Sequence, residues 1–507
     1  MGKTLFVSVD LGTSFIKVGL YDEHGVCHAV ETEAVDIKNL GPEIYIQYAD
    51  ELFASVLKCL KKTIELAGSE KAGKVCAIAF TGQMAGFMGV DKDWNDITTW
   101  SCSLDTRFAP FVDKQMELYA ERFLEIGGTN SPLMAPKCEW FKHDFPEESS
   151  KIAKYMMISS YVIGRLGECP IEEAVIDSSF IAWTGLADVR KGEWSKELCS
   201  YAGISVEKLP RIVKSHEICG ELSPKMAEIV GLKGGIPLVS GAGDKVAGCV
   251  GANVLTTGDM IFEASSYGAI SCLVDEYLPN YKTCNYDAVP AANTKQFYAH
   301  KYIQGSGVTF KWYKDNFYGK DVSYVDIDKE IANIPCGSDG VMSIPLLGGS
   351  AIPFDGKLRG MFMGHTWSHH KGHFFHSLLE SVGYELALTI DSIKEMYQGD
   401  KYNNQVVKVI GGGAKSSLWI QILSDICGME FQRLNRDDVA LWGTAILAGN
   451  AVGVFPTLEG VAKDTITVEK IFKTNPENNK KYLEYKKIYD SLLKPISGYC
   501  ARIQDVQ

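Results

Sequence analysis

The chain has 507 residues, a formal net charge of −12, 46% hydrophobic and 22% charged side chains, which is the composition of a globular protein with two domains. Its acidic balance excludes an electrostatic footprint for nucleic acid or an anionic membrane, and no apolar run is long enough to span a bilayer. The 14 cysteines are scattered from Cys27 to Cys500 without a C-x-x-C pair. This excludes a zinc ribbon or a compact disulfide framework and points to a cytoplasmic protein.

In chain order, Thr4 to Val9 and Ile16 to Tyr21 are β-branched and aromatic runs joined by Asp10-Leu11-Gly12-Thr13-Ser14, and Cys27 to Glu33 completes a meander. The turn offers a carboxylate, two hydroxyls and backbone N–H groups. That is equipment for phosphate and hydrated Mg²⁺, although the same residues also fill ordinary turns. Leu52, Phe53, Val56, Leu57, Leu60 and Ile64 form one face of a helix stopped by Gly68. Val75 to Thr81 reads as a strand running into Gly82-Gln83-Met84-Ala85-Gly86. The segment Trp100 to Arg107 follows, and Gln83, Asp105 and Arg107 are groups able to read sugar hydroxyls. Residues 110–235 look helical and loop-rich, with Trp183 and Trp194 read as core or interface.

Near the middle of the chain, Pro237 to Ser240 reads as a buried strand that ends in Gly241-Ala242-Gly243-Asp244-Lys245. Small residues leave Asp244 projecting from a bare turn. It is a candidate general base and equally a helix N-cap. Afterwards the opening pattern recurs: Asp259 to Phe262 and Ala269 to Val274 flank a turn containing Ser265 and Ser266, and Gln304-Gly305-Ser306-Gly307 leads into a helix. His365, His369, His370, His373 and His376 cluster before a packing helix through Leu378 to Leu386. A polar helix start explains them better than a metal clamp, because no carboxylate or Cys completes a zinc pattern. Val406 to Ile410 then runs into Gly411-Gly412-Gly413-Ala414-Lys415 and a helix carrying Leu418, Ile422 and Ile426. That arrangement favours a nucleotide lying on bare backbone. Asp438 to Gly449 and Asn478 to Leu493 are closing helices.

Taken in this order, Asp10 to Ser14, Gly82-Gln83-Met84, Ala135-Pro136-Lys137, Gly241 to Asp244, Gly411 to Lys415 and Asn475-Pro476-Glu477-Asn478 resemble the FGGY carbohydrate kinases, most closely the xylulokinase-like branch. The resemblance implies an α/β fold of two actin-like (ribonuclease H-type) domains around a central cleft. Residues 1–247 would mainly bind sugar and residues 248–507 mainly ATP. It implies Asp244 as catalytic base that also touches substrate, Asp10 organising Mg²⁺, and Gln83, Met84, Ala85 and Asp105 on the sugar. Gly12, Thr13, Ser14, Ser266, Gly305, Gly411, Gly412, Gly413 and Ala414 would hold ATP. Family members are often homodimers. The implied activity is ATP-dependent phosphorylation of a terminal hydroxyl of a small sugar, a ketopentose such as xylulose. The alternatives are glycerol, a tetritol, a sugar acid, or a non-catalytic nucleotide or sugar sensor. Three departures concern the substrate: Met84-Ala85 stands where xylulokinases have Met-His, Lys245 follows Asp244 where the family often has Asn or Gln, and Gly349-Ser350-Ala351-Ile352-Pro353 lacks the acidic and basic pair common before that Pro.

Overall fold

The computed structural model describes residues 4–41, 44–293, 295–504 and 506. They pack as two units. The first takes residues 1–255, 288–297 and 438–466, and the second takes 256–287, 298–437 and 467–507.

In the first unit, the Val, Ile and Phe residues that alternate or run continuously near the N-terminus form β1 (Leu5–Leu11), β2 (Phe15–Asp22) and β3 (Cys27–Ala34), an antiparallel meander. The apolar stripe that follows folds as α1 (Ala49–Ala67), which buries Leu52, Phe53, Val56, Leu60 and Ile64. Each such side chain contributes about 1.5–3 kcal/mol. Gly68, at φ 86°, ends the helix in a conformation that side chains avoid. The chain then adds β4 (Val75–Gly82), parallel to β1, and later β5 (Ile218–Glu221) and β6 (Pro237–Gly243), with β6 parallel to β4 and antiparallel to β5. The six-stranded order is β5-β6-β4-β1-β2-β3.

β6 leads into α2 (Asp244–Gly251). The helix Val439–Ala451 lies against α2 at glycine contacts: a Cβ on Gly251 would sit 1.9 Å from Val439 O, and one on Gly443 would sit 1.9 Å from Ala247 O. Two backbones approach this closely only where neither residue carries a side chain.

The second unit repeats the plan. β7 (Met260–Glu263) and β8 (Gly268–Val274) are antiparallel, and β9 (Phe297–Ile303) adjoins β8. β10 (Val406–Ile410) is parallel to β7 and to β11 (Glu430–Leu434), and β12 (Val468–Phe472) closes antiparallel to β11. The order β9-β8-β7-β10-β11-β12 matches β3-β2-β1-β4-β6-β5 of the first unit. The match is one of strand position, since β12 follows β11 in the chain where β5 precedes β6, and the shared hairpin with a parallel neighbour accounts for the recurrence seen in the sequence.

Of the helices α3 (Gly307–Tyr313), α4 (Lys371–Met396), α5 (Ser417–Cys427) and α6 (Pro476–Gln504), α4 and α5 pack on this second sheet, α3 packs on α4, and α6 packs on α4 and α5. α6 outlasts the expected end at Leu493 and carries Pro495 inside it, since Ile496 and Cys500 beyond the proline are still buried. No helix among the described residues is long and apolar enough to cross a membrane.

Candidate active site

In the first unit, strand pairing carries β1 further than the local sequence suggests. Asp10 pairs with Lys17 and Leu11 with Ile16, so the turn is only Gly12-Thr13-Ser14 and Asp10 sits at the end of a strand. A Cβ on Gly12 would lie 2.7 Å from Phe15 O, so the turn needs a bare residue there. The Gln83 N–H donates to Leu11 O at 3.1 Å, and Thr13 Oγ1 donates to Gln83 Oε1 at 3.2 Å. Gln47, unsuspected from the sequence, donates its Nε2 to Thr13 O at 3.1 Å. Gln83 Nε2 and Gln47 Oε1 are buried with no partner among the described residues. An unspent buried polar atom costs about 1–3 kcal/mol.

Asp244 follows the residue that packs on Met84. β6 shifts register between Val239 and Ala242, where Gly241 takes φ 71° and a Cβ would fall 1.7 Å from Phe80 O. Gly243 also has a close neighbour, since a Cβ there would meet Met84 Sδ at 2.4 Å. The Gln83-Met84 turn therefore rests directly on the residue before Asp244. Gly243 holds the N-cap position, so Asp244 is the first helical residue and its Oδ1 accepts the Lys245 N–H at 2.8 Å. Its side chain is 34% exposed, and Lys245 Nζ lies 3.8 Å from Oδ2. The N-cap reading of Asp244 is thus corrected by one residue, because Gly243 takes the cap without a side-chain bond, and the Asp244 carboxylate stays reachable. Ala85 is half-buried beside Met84.

Asp105 is turned inward. Its carboxylate accepts from Arg107 Nε and Nη2, each at 2.8 Å, and from Ser101 Oγ at 2.7 Å, with nothing left exposed. The partly exposed group is Arg107, whose guanidinium lies 4.6 Å from the Trp140 ring centroid. Lys137 is completely enclosed beneath this loop and donates to Ser101 O and Cys102 O at 2.8 and 2.9 Å. Burial pushes its amine down to about 8, opposed by the Asp105 charge.

In the second unit, three bare segments converge. The Ala264 to Tyr267 turn leaves Ser266 exposed, and its Ser265 and Ser266 carbonyls accept from Gly307 N–H at 3.2 Å and Val308 N–H at 2.9 Å. A Cβ on Gly305 would lie 2.5 Å from Pro345, and one on Gly307 would lie 2.7 Å from Ser265 O. Gly411 (φ 92°) and Gly413 close on Ala264, with Gly413 N–H donating to Ala264 O at 2.8 Å, whereas an added Cβ at Gly412 would meet open space. A cavity of about 340 Å³ borders Gly411, Ala414 and Lys415 and is also lined by Arg433 and Arg436. Arg433 is paired with Glu469 at 2.8–3.0 Å and Lys415 with Asp437 at 3.1 Å.

The histidine cluster is a helix start. His370 caps α4 in a reciprocal arrangement with His373, and no group among the described residues has a metal-binding arrangement of three ligands.

Comparison with known proteins gives a consistent picture. The model for the N-terminal domain of the FGGY family of carbohydrate kinases matches residues 5–251, and the C-terminal domain model matches residues 273–452. The second match runs through both packed units. The chain is similar to the xylulose kinase of Staphylococcus epidermidis (strain ATCC 12228 / FDA PCI 1200), at 27% identity over 496 residues covering 97% of each chain. It is also similar to the gluconokinase of Bacillus subtilis (strain 168), at 25% identity covering 99% of this chain and 98% of the other. Among solved structures, the ligand-bound xylulose kinase from Lactobacillus acidophilus superimposes with TM-score 0.89 at 20% identity, covering 99% of this chain and all of that one.

Proposed function

Because the chain belongs to the FGGY family of carbohydrate kinases, we propose that it transfers the γ-phosphoryl group of ATP to a terminal hydroxyl of a small sugar, with a ketopentose such as xylulose as first candidate. The observation that carries this reading is Asp244. It is a reachable carboxylate at the head of α2, seated on the Gln83-Met84 turn, where a buried carboxamide N–H₂ is still unspent.

In this reading Asp244 accepts the proton of the attacking hydroxyl. Gln83, Met84 and Ala85 line the sugar, and Asp105 acts on it through Arg107. The ATP side is assigned to Gly12, Thr13 and Ser14 together with Ser266, Gly305 and Gly411 to Ala414. Gly12 and Gly307 are bare because the chain's own backbone lies against them, Phe15 O and Ser265 O each 2.7 Å from an added Cβ, whereas Gly412 faces open space and leaves room for a flat ring. Asp10, half-buried at the end of β1, is a hard oxygen donor suited to Mg²⁺. Bound Mg²⁺ would supply charge neutralisation on the phosphates. Phosphoryl transfer otherwise asks the protein for positioning and a base for the incoming hydroxyl.

A second substrate class has its own support. Lys245, only 14% exposed and 3.8 Å from Asp244, and Arg107 would favour a sugar acid, and the B. subtilis relative is named a gluconokinase. Coupled ADP release with Mg-ATP over ketopentoses, polyols and aldonic acids tests both. A rise with one sugar that vanishes in Asp244→Asn supports the kinase, while ADP release that is absent or indifferent to every sugar overturns it.

A further inference from the structure

Behind Asp244 lies a buried acid that the transfer chemistry does not use. Asp177 ends the strand Val175–Asp177 and caps the 3₁₀ turn Ser178–Thr184, with only 3% of its surface exposed. Its Oδ1 accepts the Ser179 N–H at 2.8 Å and also the Ser179 hydroxyl, and its Oδ2 accepts Ser215 Oγ–H at 2.8 Å. A serine hydroxyl has one proton to give and two lone pairs. With that proton spent on Asp177, Ser179 Oγ accepts the Gly243 N–H at 2.8 Å.

The reason Gly243 needs a side chain as acceptor lies in the sheet. β5 pairs with β6 only along Pro237 to Val239, and the register shift follows immediately. Beyond the shift β6 has β4 on one side, and on the other side Ser179 takes the place of a strand. Gly243 is the N-cap of α2, so its orientation sets where Asp244 begins the helix.

We propose that Ser179, itself oriented by Asp177 and Ser215, is a positioning residue for phosphoryl transfer: its hydroxyl fixes the Gly243 peptide and thereby aims the Asp244 carboxylate. The chain Asp177, Ser179, Gly243 spans 64 residues of sequence between Ser179 and Gly243, and all three members are buried. It rests on the reading of Asp244 as base.

The test compares full-length Ser179→Ala, Ser179→Thr, Asp177→Asn and Asp244→Asn by coupled ADP release at saturating Mg-ATP, with thermal unfolding measured in parallel. A small misplacement of a catalytic group costs rate rather than affinity, so Ser179→Ala is expected to lower kcat about tenfold or more with sugar KM within about twofold. Ser179→Thr keeps the hydroxyl and recovers most of the rate, and Asp177→Asn loses several-fold in kcat. A folded Ser179→Ala with wild-type kcat overturns the proposal, as does a Thr variant no better than Ala. If Ser179→Ala does not fold, Asp177→Asn decides in the same way by its kcat at unchanged KM. Loss of turnover in Asp244→Asn beside an unimpaired Ser179→Ala refutes positioning alone, whereas wild-type turnover in Asp244→Asn refutes the base assignment itself.

Discussion

Replacing Gly241 by Ala perturbs the turn that presents Asp244, and the structure gives the size of the effect. Gly241 has φ 71°, a region that costs an L-residue about 1–2 kcal/mol. The new Cβ would also lie 1.7 Å from Phe80 O, a backbone atom held inside the sheet. Relieving that overlap requires β6 or β4 to move by about 1.5 Å, an overpacking strain of about 1–3 kcal/mol. The expected loss is roughly 2–5 kcal/mol, or about 5–15 °C in Tm at the few degrees per kcal/mol of a domain this large. Asp244 follows shortly after, so kcat is expected to fall further than the folded fraction does. Gly412→Ala is the internal comparison: an added Cβ meets nothing within 4 Å, and stability should be unchanged or raised by up to about 1 kcal/mol. Thermal and urea unfolding with turnover at saturating substrates are the assays. If Gly241→Ala melts within about a degree of wild type with unaltered kcat, the close approach of β6 to Phe80 is wrong.

Gly443→Val should destabilise the first unit by about 2 kcal/mol or more, because its Cβ lies 1.9 Å from Ala247 O and both partners are backbone; urea unfolding checks this. Asp10→Asn should raise the Mg²⁺ concentration needed for half-maximal turnover while leaving sugar KM near wild type, read from Mg²⁺ titrations of ADP release. Glu380 offers a pH test. It is fully buried and accepts from Gly337 N–H, Ser338 Oγ–H and Tyr482 OH, each at 2.7 Å; burial pushes its carboxyl up to about 7. A carboxyl raised on folding holds its proton in the native state after the unfolded chain has lost it. Its stabilising contribution is therefore full below about pH 4.5 and is lost as pH rises to 7. The stability of Glu380→Gln relative to wild type should increase over that window, and a flat difference would refute the assignment.

The fold was legible largely because its signals are local. The hairpin residues, the α1 stripe and the strand-to-glycine transition at Ile410-Gly411 are each contained in short windows, and the structure places them as read. What escaped depends on pairing across the chain. β1 extends through Asp10 and Leu11 because β2 supplies Lys17 and Ile16 opposite them, which no turn propensity reveals. Asp105 looked like a sugar reader on composition alone. Ser101 and Arg107 fold back on it and bury its carboxylate, leaving the guanidinium as the reachable group. Gln47, Asp177 and Ser179 carry no motif at all. Asp177 followed by two serines reads as an ordinary turn start, and its meaning appears only when β6 arrives 64 residues later. The candidate base was legible for the opposite reason. A strand that ends in alternating glycines before an Asp describes its own geometry, and the register shift, the left-handed Gly241 and the half-buried, reachable Asp244 follow from it.

The central claim is that this chain phosphorylates a small sugar with Asp244 as base. Coupled ADP release measured with Mg-ATP and D-xylulose, L-xylulose, glycerol and gluconate, for wild type and Asp244→Asn, tests it most directly. The account predicts one substrate that raises the wild-type rate far above the sugar-free rate, with that rise gone in Asp244→Asn and ATP binding retained. An equal rate in the variant, or ADP release unaffected by any sugar, would contradict it.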